Sequence, residues 1–446
     1  MTISNKSEPF ILFLGDIAVF VVALWLTLFV RYGEVPSGNL FFSHLEPFSI
    51  LFVLWSLVFF IAGLYDKHTS ILKSRLPGIL LNSQVTNSAV AVIFFYLFPY
   101  FGINPKTNLL IYLVISFALI LLWRIYGVGL FGSHRREKAV LIGSGEEMRD
   151  LRDEINGNDR YSIKFVSSVD LSSLESFDFK SEVLDVIYAE GISAVVIDLK
   201  NEKVGPILPN LYNLIFSNVK FIDMYKVYED TFDRIPLSLL NYNWFLENIS
   251  LSVHAGYDVL KRLMDLAISL ILGIISLVFY PFVFLAIKLE DGGPVFIAQE
   301  RIGEGNIPVR LIKFRSMKKN DSGVWPTDGD GRITGVGKFL RRTRIDELPQ
   351  LWSVVTGDLS LIGPRPDIID LGRKLAGEIP YYTVRNLIKP GLSGWAQIKQ
   401  DLPPHSVEET KLRLSYDLYY IKNRSFMLDL RIALQTIKTL LSRSGK

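Results

Sequence analysis

The chain has 446 residues, 49% of them hydrophobic and 13% aromatic, and its mean hydropathy of +0.29 points to membrane segments plus one or two folded domains rather than to three soluble domains. Cysteine is absent, which excludes disulfides, thiolate metal sites and cysteine nucleophiles, and the five histidines (His44, His68, His134, His254, His405) lack metal-ligand spacing, which argues against zinc and His-base chemistry. The net charge of +3 is unevenly shared: Gly256 to the C-terminus holds 28 Lys+Arg against 20 Asp+Glu, a basic excess suited to phosphate-rich ligands or an anionic membrane surface.

Four apolar stretches open the chain: FILFLGDIAVFVVALWLTLFV, FSILFVLWSLVFFIAGLY, SAVAVIFFYLFPYFGI and LLIYLVISFALILLW. Each approaches the roughly 20 residues of a spanning helix, and a cleaved signal peptide does not fit four of them. Loop cations set the orientation. Lys67, Lys73 and Arg75 follow the second stretch and Arg124, Arg135, Arg136 and Lys138 follow the fourth, so the positive-inside bias places both ends of the bundle in the cytoplasm. Asp16 inside the first stretch has two readings, an intramembrane functional acid or a side chain that reaches the cytoplasmic interface.

KAVLIGSGEEMRDLRDEI (138–155) follows as a short strand, a Gly143-Ser144-Gly145 turn and a charged helix. Strands IKFVSSVD and SAVVIDL extend an alternating α/β pattern with a Rossmann-like character. Met148 stands where the dinucleotide fingerprint has its third glycine, so a domain that binds no nucleotide competes with one that does. Residues 263–287 form another long apolar stretch with Pro281 inside it, where a kink is expected. A straight span and a helix that dips in and returns are both open.

In VRLIKFRSM, read as a strand, Lys313 and Arg315 share a face and form a candidate diphosphate pair; a solvated basic edge is the competing reading. Then comes RRTRIDELPQLWSVVTGDLSLIGPRP, in which Asp346 and Glu347 stand before a helix expected over 348–355. Adjacent helix-start residues point roughly 100° apart. One carboxylate can face a substrate as a nucleophile while the other holds a metal, or both can merely cap and pair. Arg341, Arg342 and Arg344 precede the pair, and Arg365 is stiffened between Pro364 and Pro366 for a bidentate phosphate contact. Tyr416, Tyr419, Tyr420 and Phe426 suit either a headgroup surface or ordinary core.

QERIG, KFRSM, RITGVGKFLRRTRIDELPQLWSVVTGDLSLIGPRP, KPGLSGWAQ and YDLYYIKN stand in that order between Gly256 and Leu440. Together they closely resemble the bacterial sugar transferase family, the polyprenol-phosphate hexose-1-phosphate transferases. The front half resembles the large four-span members, the undecaprenyl-phosphate glucose phosphotransferase type. The resemblance implies a membrane helical bundle (1–130), a Rossmann-like cytoplasmic domain (137–230), a linker (231–255) and a monotopic α/β catalytic domain (256–446) with a re-entrant helix at 262–288, broken at Pro281. Many members have serine before that proline, where this chain has Tyr280.

The implied reaction moves a hexose 1-phosphate, glucose by analogy, from a UDP-sugar to undecaprenyl phosphate and releases UMP. It is the first membrane step of exopolysaccharide, capsule or O-antigen assembly at the bacterial inner membrane. Carried over by motif, Asp346 is the nucleophile and Glu347 the Mg²⁺ ligand, with Lys313, Arg315, Arg365, Arg301 and Gln397 binding substrate. UDP-galactose or a UDP-N-acetylhexosamine are alternative donors. The resemblance allows a homodimer and calls for no nucleic acid. A nucleotide-sugar-modifying enzyme would need an intact glycine fingerprint and a Tyr-x-x-x-Lys base, neither of which occurs in 138–230, and a non-catalytic scaffold would not need the intact tail motifs.

Overall fold

A computed structural model describes residues 8–65, 76–99, 105–127, 136–158, 161–172, 185–214, 219–249, 255–318, 333–400 and 402–441. The chain divides into two compact units, Met1–Thr231 and Phe232–Lys446.

The first unit opens with α1 (Glu8–Tyr32), α2 (Gly38–Ile61), α3 (Leu76–Leu97) and α4 (Pro105–Leu122), and each lies in a segment long and apolar enough to cross a membrane. Their seam is aromatic. Phe20, Phe48, Phe52, Trp55 and Phe59 are buried together, and Trp55 lies 5.1 Å from the Tyr112 ring. Helix α3 begins well before the apolar stretch read from the sequence because its first half turns Ser83, Gln84 and Asn87 into the bundle, where the Asn87 carbonyl accepts the Trp55 indole N–H at 2.8 Å. Hydropathy cannot see a helix whose polar residues face inward.

Asp16 is fully buried and ion-paired with Arg124, whose other amine donates to the Leu64 carbonyl at 2.7 Å. The acid is held inside the bundle rather than reaching an interface. Lys67, Lys73, Arg75 and Arg135 lie outside the described residues.

Beyond the bundle come β1 (Glu137–Gly143), α5 (Gly145–Asn156), β2 (Ile163–Asp170), α6 (Asp185–Glu190), β3 (Ala194–Ile197), α7 (Leu208–Leu214), β4 (Lys220–Asp223) and α8 (Met224–Phe232). The sheet is parallel in the order β2-β1-β3-β4, as alternating strands and helices require. At its C-terminal edge a Cβ on Gly143 would come within 2.6 Å of the Met224 sulfur, and Met148 is buried. Apolar packing occupies the place where the fingerprint keeps room for a dinucleotide.

The second unit starts with α9 (Tyr242–Asn248), inside the segment expected as a linker, where Trp244 is buried. A long apolar helix follows in two parts, α10 (Ala255–Ser276) and α11 (Tyr280–Asp291), joined by a 3₁₀ turn at Leu277–Phe279. The break falls at Pro281, as the missing N–H dictates. The hydroxyl that bonds the backbone there is Ser276, donating to the Gly273 carbonyl at 2.6 Å, while the Tyr280 ring packs edge-on to Phe314 at 4.9 Å.

Both ends of this broken helix are held by residues of the same compact unit. At the N-terminal end Lys261 donates to the Ile362 carbonyl (2.9 Å), Arg262 to the carbonyls of Val354 (2.7 Å) and Val355 (2.9 Å), and Asp265 accepts from the Ser360 hydroxyl (2.8 Å). At the C-terminal end Val283 and Ile287 pack with Val295, Phe314 and Leu340. Between the ends, Ile271, Val278 and Phe282 are exposed.

The remaining elements are the antiparallel hairpin β5 (Phe296–Ile302) and β6 (Pro308–Phe314), α12 (Gly335–Thr343), α13 (Gln350–Thr356), β7 (Ser360–Ile362), α14 (Ile369–Glu378), β8 (Gly391–Ser393), α15 (Trp395–Lys399), α16 (Val407–Asn423) and α17 (Phe426–Leu441). Tyr420 is buried and Tyr419 stacks on Trp395, so these tyrosines of the C-terminal cluster belong to the core. Phe426 stays partly exposed.

Candidate active site

The two adjacent acids sit in a 3₁₀ turn, Ile345–Glu347, between α12 and α13. The helix after them begins at Gln350, two residues later than the sequence pattern predicts, because Pro349 takes the N-cap place. Entry to the turn runs through Arg344 in the left-handed region (φ 58°), a conformation that costs a non-glycine residue roughly 1–2 kcal/mol. Helix α12 is in turn pinned to the end of the hairpin. Thr334 N–H donates to the Ser316 carbonyl at 3.2 Å, and a Cβ on Gly337 would lie 2.0 Å from that oxygen, so only glycine permits the approach.

The acids are electrostatically unequal. Asp346 is 7% exposed, and its Oδ1 is buried with no hydrogen-bond partner. Burial and the neighbouring Glu347 charge push its carboxyl up to about 6, against the pull of Lys313, Arg341 and Arg344. Burial would raise Glu347 too, but the charges of Arg365 and Arg344 outweigh it and hold that carboxyl below its ordinary value. Arg365 Nη2 lies 2.9 Å from Glu347 Oε1 and Arg344 Nη1 3.7 Å from the same oxygen. Glu347 is thus a fixed anion, and Asp346 a buried carboxyl with an orphaned oxygen.

Of the cations named from the sequence, Arg365 is in direct contact with Glu347 and Lys313 is within electrostatic reach of both acids. Arg315 is not Lys313's companion there. It leaves the strand after Phe314 and is buried against Gly293 in an ion pair with Asp291, the last residue of α11. Arg301 donates to the Pro366 carbonyl at 3.0 Å and to Gln299 Oε1 at 2.7 Å. Gln397 donates to the Leu392 carbonyl at 3.3 Å, and its own amide oxygen is buried without a partner.

Sequence reading missed Gln299, whose Oε1 also accepts from Lys313 at 3.2 Å, and Asp367, Arg385, Arg413 and Asp417, which lie buried behind Arg365. Gln299 stands inside the QERIG motif and could have been flagged; the buried charges are scattered over 51 positions and carry no local signal.

A cleft of about 420 Å³ opens beside Lys313, lined by Gln299, Glu300, Met317, Asp370 and Arg373 among others. Among the described residues no group of three His, Asp or Glu side chains forms a metal cage. The dyad nevertheless fits Mg²⁺, which takes one or two carboxylates and completes its shell with phosphate and water oxygens. Both arginine contacts fall on Glu347 Oε1, so Glu347 Oε2 is the oxygen suited to it.

Residues 256–443 match the model of a family described as bacterial sugar transferase. A UDP-N-acetylgalactosamine-undecaprenyl-phosphate N-acetylgalactosaminephosphotransferase of Aeromonas hydrophila is 36% identical over 260 residues, 56% of this chain and 60% of that protein. A UDP-glucose:undecaprenyl-phosphate glucose-1-phosphate transferase of Escherichia coli (strain K12) is 41% identical over 184 residues, 40% of this chain and 39% of that protein. The exopolysaccharide production protein PSS of Rhizobium leguminosarum bv. phaseoli is 39% identical over 193 residues, which are 42% of this chain and 96% of that protein. The chain therefore spans well under two thirds of the first two relatives and nearly the whole of the third.

Proposed function

The chain belongs to the bacterial sugar transferase family, and from that premise we propose that it transfers a hexose 1-phosphate from a UDP-hexose to undecaprenyl phosphate at the bacterial inner membrane, with Asp346 as nucleophile. The observation that carries this is the unequal dyad: a buried, partly orphaned Asp346 beside a Glu347 held by Arg365. Burial strips the carboxylate of water, and the adjacent cations attract a diphosphate to it.

Asp346 attacks the β-phosphorus, the bond from that phosphorus to the bridging oxygen breaks, and UMP leaves with the electron pair. The result is a phosphosugar joined to Asp346. The phosphate of undecaprenyl phosphate then attacks the same phosphorus and frees the Asp346 carboxylate. Lys313 and Arg365 orient the diphosphate oxygens. Mg²⁺ held by Glu347 would neutralise charge on the leaving phosphate. The product starts a surface polysaccharide such as exopolysaccharide, capsule or O-antigen.

The acceptor is a lipid, and the broken helix fits a re-entrant reading. Ala255–Asp291 would measure about 54 Å if straight, well beyond a hydrocarbon core of about 30 Å. Its two ends are gripped by one compact unit, which supports their lying on the same, cytoplasmic side.

Glucose is the donor favoured by likeness to the large family members, and the Escherichia coli relative is named for it. The relative matched over 260 residues is named for N-acetylgalactosamine, which favours a second reading with a UDP-N-acetylhexosamine. Protein in nanodiscs, incubated with Mg²⁺, undecaprenyl phosphate and a panel of UDP-hexoses, should release UMP with one donor, and Asp346→Asn should abolish the release. Release that survives the substitution removes Asp346 as nucleophile. Silence with every donor removes the reaction.

A further inference from the structure

Arg365 stands in a loop that cannot be anchored in the ordinary way. Pro364 and Pro366 carry no N–H, so the loop can be fixed at those two positions only through its carbonyls. The Pro364 carbonyl accepts from Gly391 N–H at 3.0 Å, that of Pro366 from Arg301 at 3.0 Å and that of Asp367 from Ile302 N–H at 2.9 Å. The Arg365 carbonyl accepts twice, from Arg385 Nη2 at 2.9 Å and from Arg413 Nη2 at 2.8 Å. A carbonyl has two lone pairs, and here each is taken by a guanidinium.

These arginines are buried, Arg385 at 1% exposure and Arg413 at 9%. Burying guanidinium groups is costly unless counter-charges accompany them. Asp367 and Asp417 supply them: Arg385 pairs with both, at 2.9 Å from its Nε to Asp417, and Arg413 reaches Asp367 at 3.3 Å. Apolar side chains of similar volume commonly stabilise a core as well or better. What the charged network achieves that they would not is a fixed carbonyl on the residue whose side chain rests on Glu347.

We propose that Arg385 and Arg413 are positioning residues for phosphosugar transfer, a clamp on the Arg365 carbonyl that keeps the Arg365 guanidinium seated on Glu347. The inference rests on the transfer reaction proposed above. The charged groups facing the dyad are Lys313 from β6, Arg341 from α12, Arg344 from the turn and Arg365 from the loop. When the clamp loosens, Arg365 drifts from Glu347 and from the place where it would orient the diphosphate.

The test is Arg413→Lys in the full chain, which keeps a cation near Asp367 but lacks the two spread nitrogens of the guanidinium, of which Nη1 faces Asp367 and Nη2 the carbonyl. UMP release would be followed over a range of donor concentrations, alongside the melting temperature. The clamp predicts a folded variant with kcat down about 10- to 100-fold and donor KM within about threefold. In an Arg365→Lys background the same change should lower kcat by less than about a further threefold, because the link it acts through is already broken.

A folded variant with kcat within about threefold of wild type, or an effect that adds in full to Arg365→Lys, overturns the clamp. Arg413→Gln, which keeps a donor for the carbonyl, serves if the lysine variant does not fold, and it should keep kcat within about threefold of wild type. Wild-type protein that releases no UMP sinks the reaction and the clamp together. Wild-type turnover with an unchanged Arg413→Lys sinks the clamp alone.

Discussion

At the scale of single residues, Asp346 is a group whose chemistry and stability pull apart. Its carboxyl is raised to about 6 in the folded chain from an ordinary value of 3.8. Between those two values the folded state holds a proton that the unfolded state has lost, so stability falls as pH rises through that window and stays lower above it. The full cost of ionising Asp346 is up to about 3 kcal/mol. Metal-free Asp346→Asn should therefore melt higher than wild type at about pH 7.5 and show no gain near pH 4, while the proposed mechanism expects it to release no UMP. Equal melting of the two proteins at both pH values would contradict the burial argument. By the same ionisation, wild-type UMP release should decline as pH drops through about 6. The sequence displayed the two acids and their arginines, because they are adjacent. It did not display their inequality, which depends on Arg365 reaching Glu347 from 18 positions away. Nor did it display the loss of Arg315 to Asp291, a partner on the membrane helix rather than on its own strand.

Elements add a second kind of tension, between apolar surroundings and the charges they enclose. Helix α4 ends in a π-helical turn, Trp123–Gly127, that carries Arg124 back onto Asp16 of α1. Removing one member of such a pair leaves an uncompensated buried charge, at about 3–5 kcal/mol. Arg124→Gln should lower the thermal stability of the detergent-held protein by roughly that amount, and Asp16→Asn placed beside it should restore most of the loss. A double variant no more stable than Arg124→Gln would show that the pair is not what Arg124 serves. The same reasoning governs the broken helix, whose polar first turns hold the segment from Val354 to Ile362 while its apolar middle faces outward. Since the chain has no cysteine, single cysteines at Lys164 and Lys438 report topology directly. The re-entrant reading expects an impermeant maleimide to label both from the same membrane face, and opposite labelling would make the helix a full span. Pro281 and the apolar run were legible in sequence. The partners that grip both ends were not, because they lie some 90 to 170 positions downstream at one end and include residues of β6 and α12 at the other.

For the whole molecule, the question is which part suffices for chemistry. The Rhizobium relative matches this chain over 193 residues that make up 96% of its own length, so a stretch of that size accounts for nearly all of that protein. The family region starts at residue 256, but the compact unit that holds it begins earlier, at Phe232. The resemblance implied a linker at 231–255, and contacts formed only on folding are invisible to a match of motifs. The buried Trp395 indole donates to the Asp233 carbonyl at 2.9 Å, Lys399 pairs with the Asp233 carboxylate at 3.1 Å, and Trp244 packs beneath Lys422. A chain started at Gly256 would leave the Trp395 N–H buried without its acceptor, a loss of about 1–3 kcal/mol, and would open apolar surface beneath Trp244. Residues 232–446, expressed alone in membranes, should release UMP with the donor the full chain uses and should melt several degrees above residues 256–446. If the shorter piece were as stable and as active as the longer one, the contacts of Asp233 and Trp244 would be incidental, and the catalytic unit would begin at the helix itself. If neither piece turned over while the full chain did, the first unit would be needed for transfer, and the parallel sheet with its methionine-filled edge would require a role beyond packing.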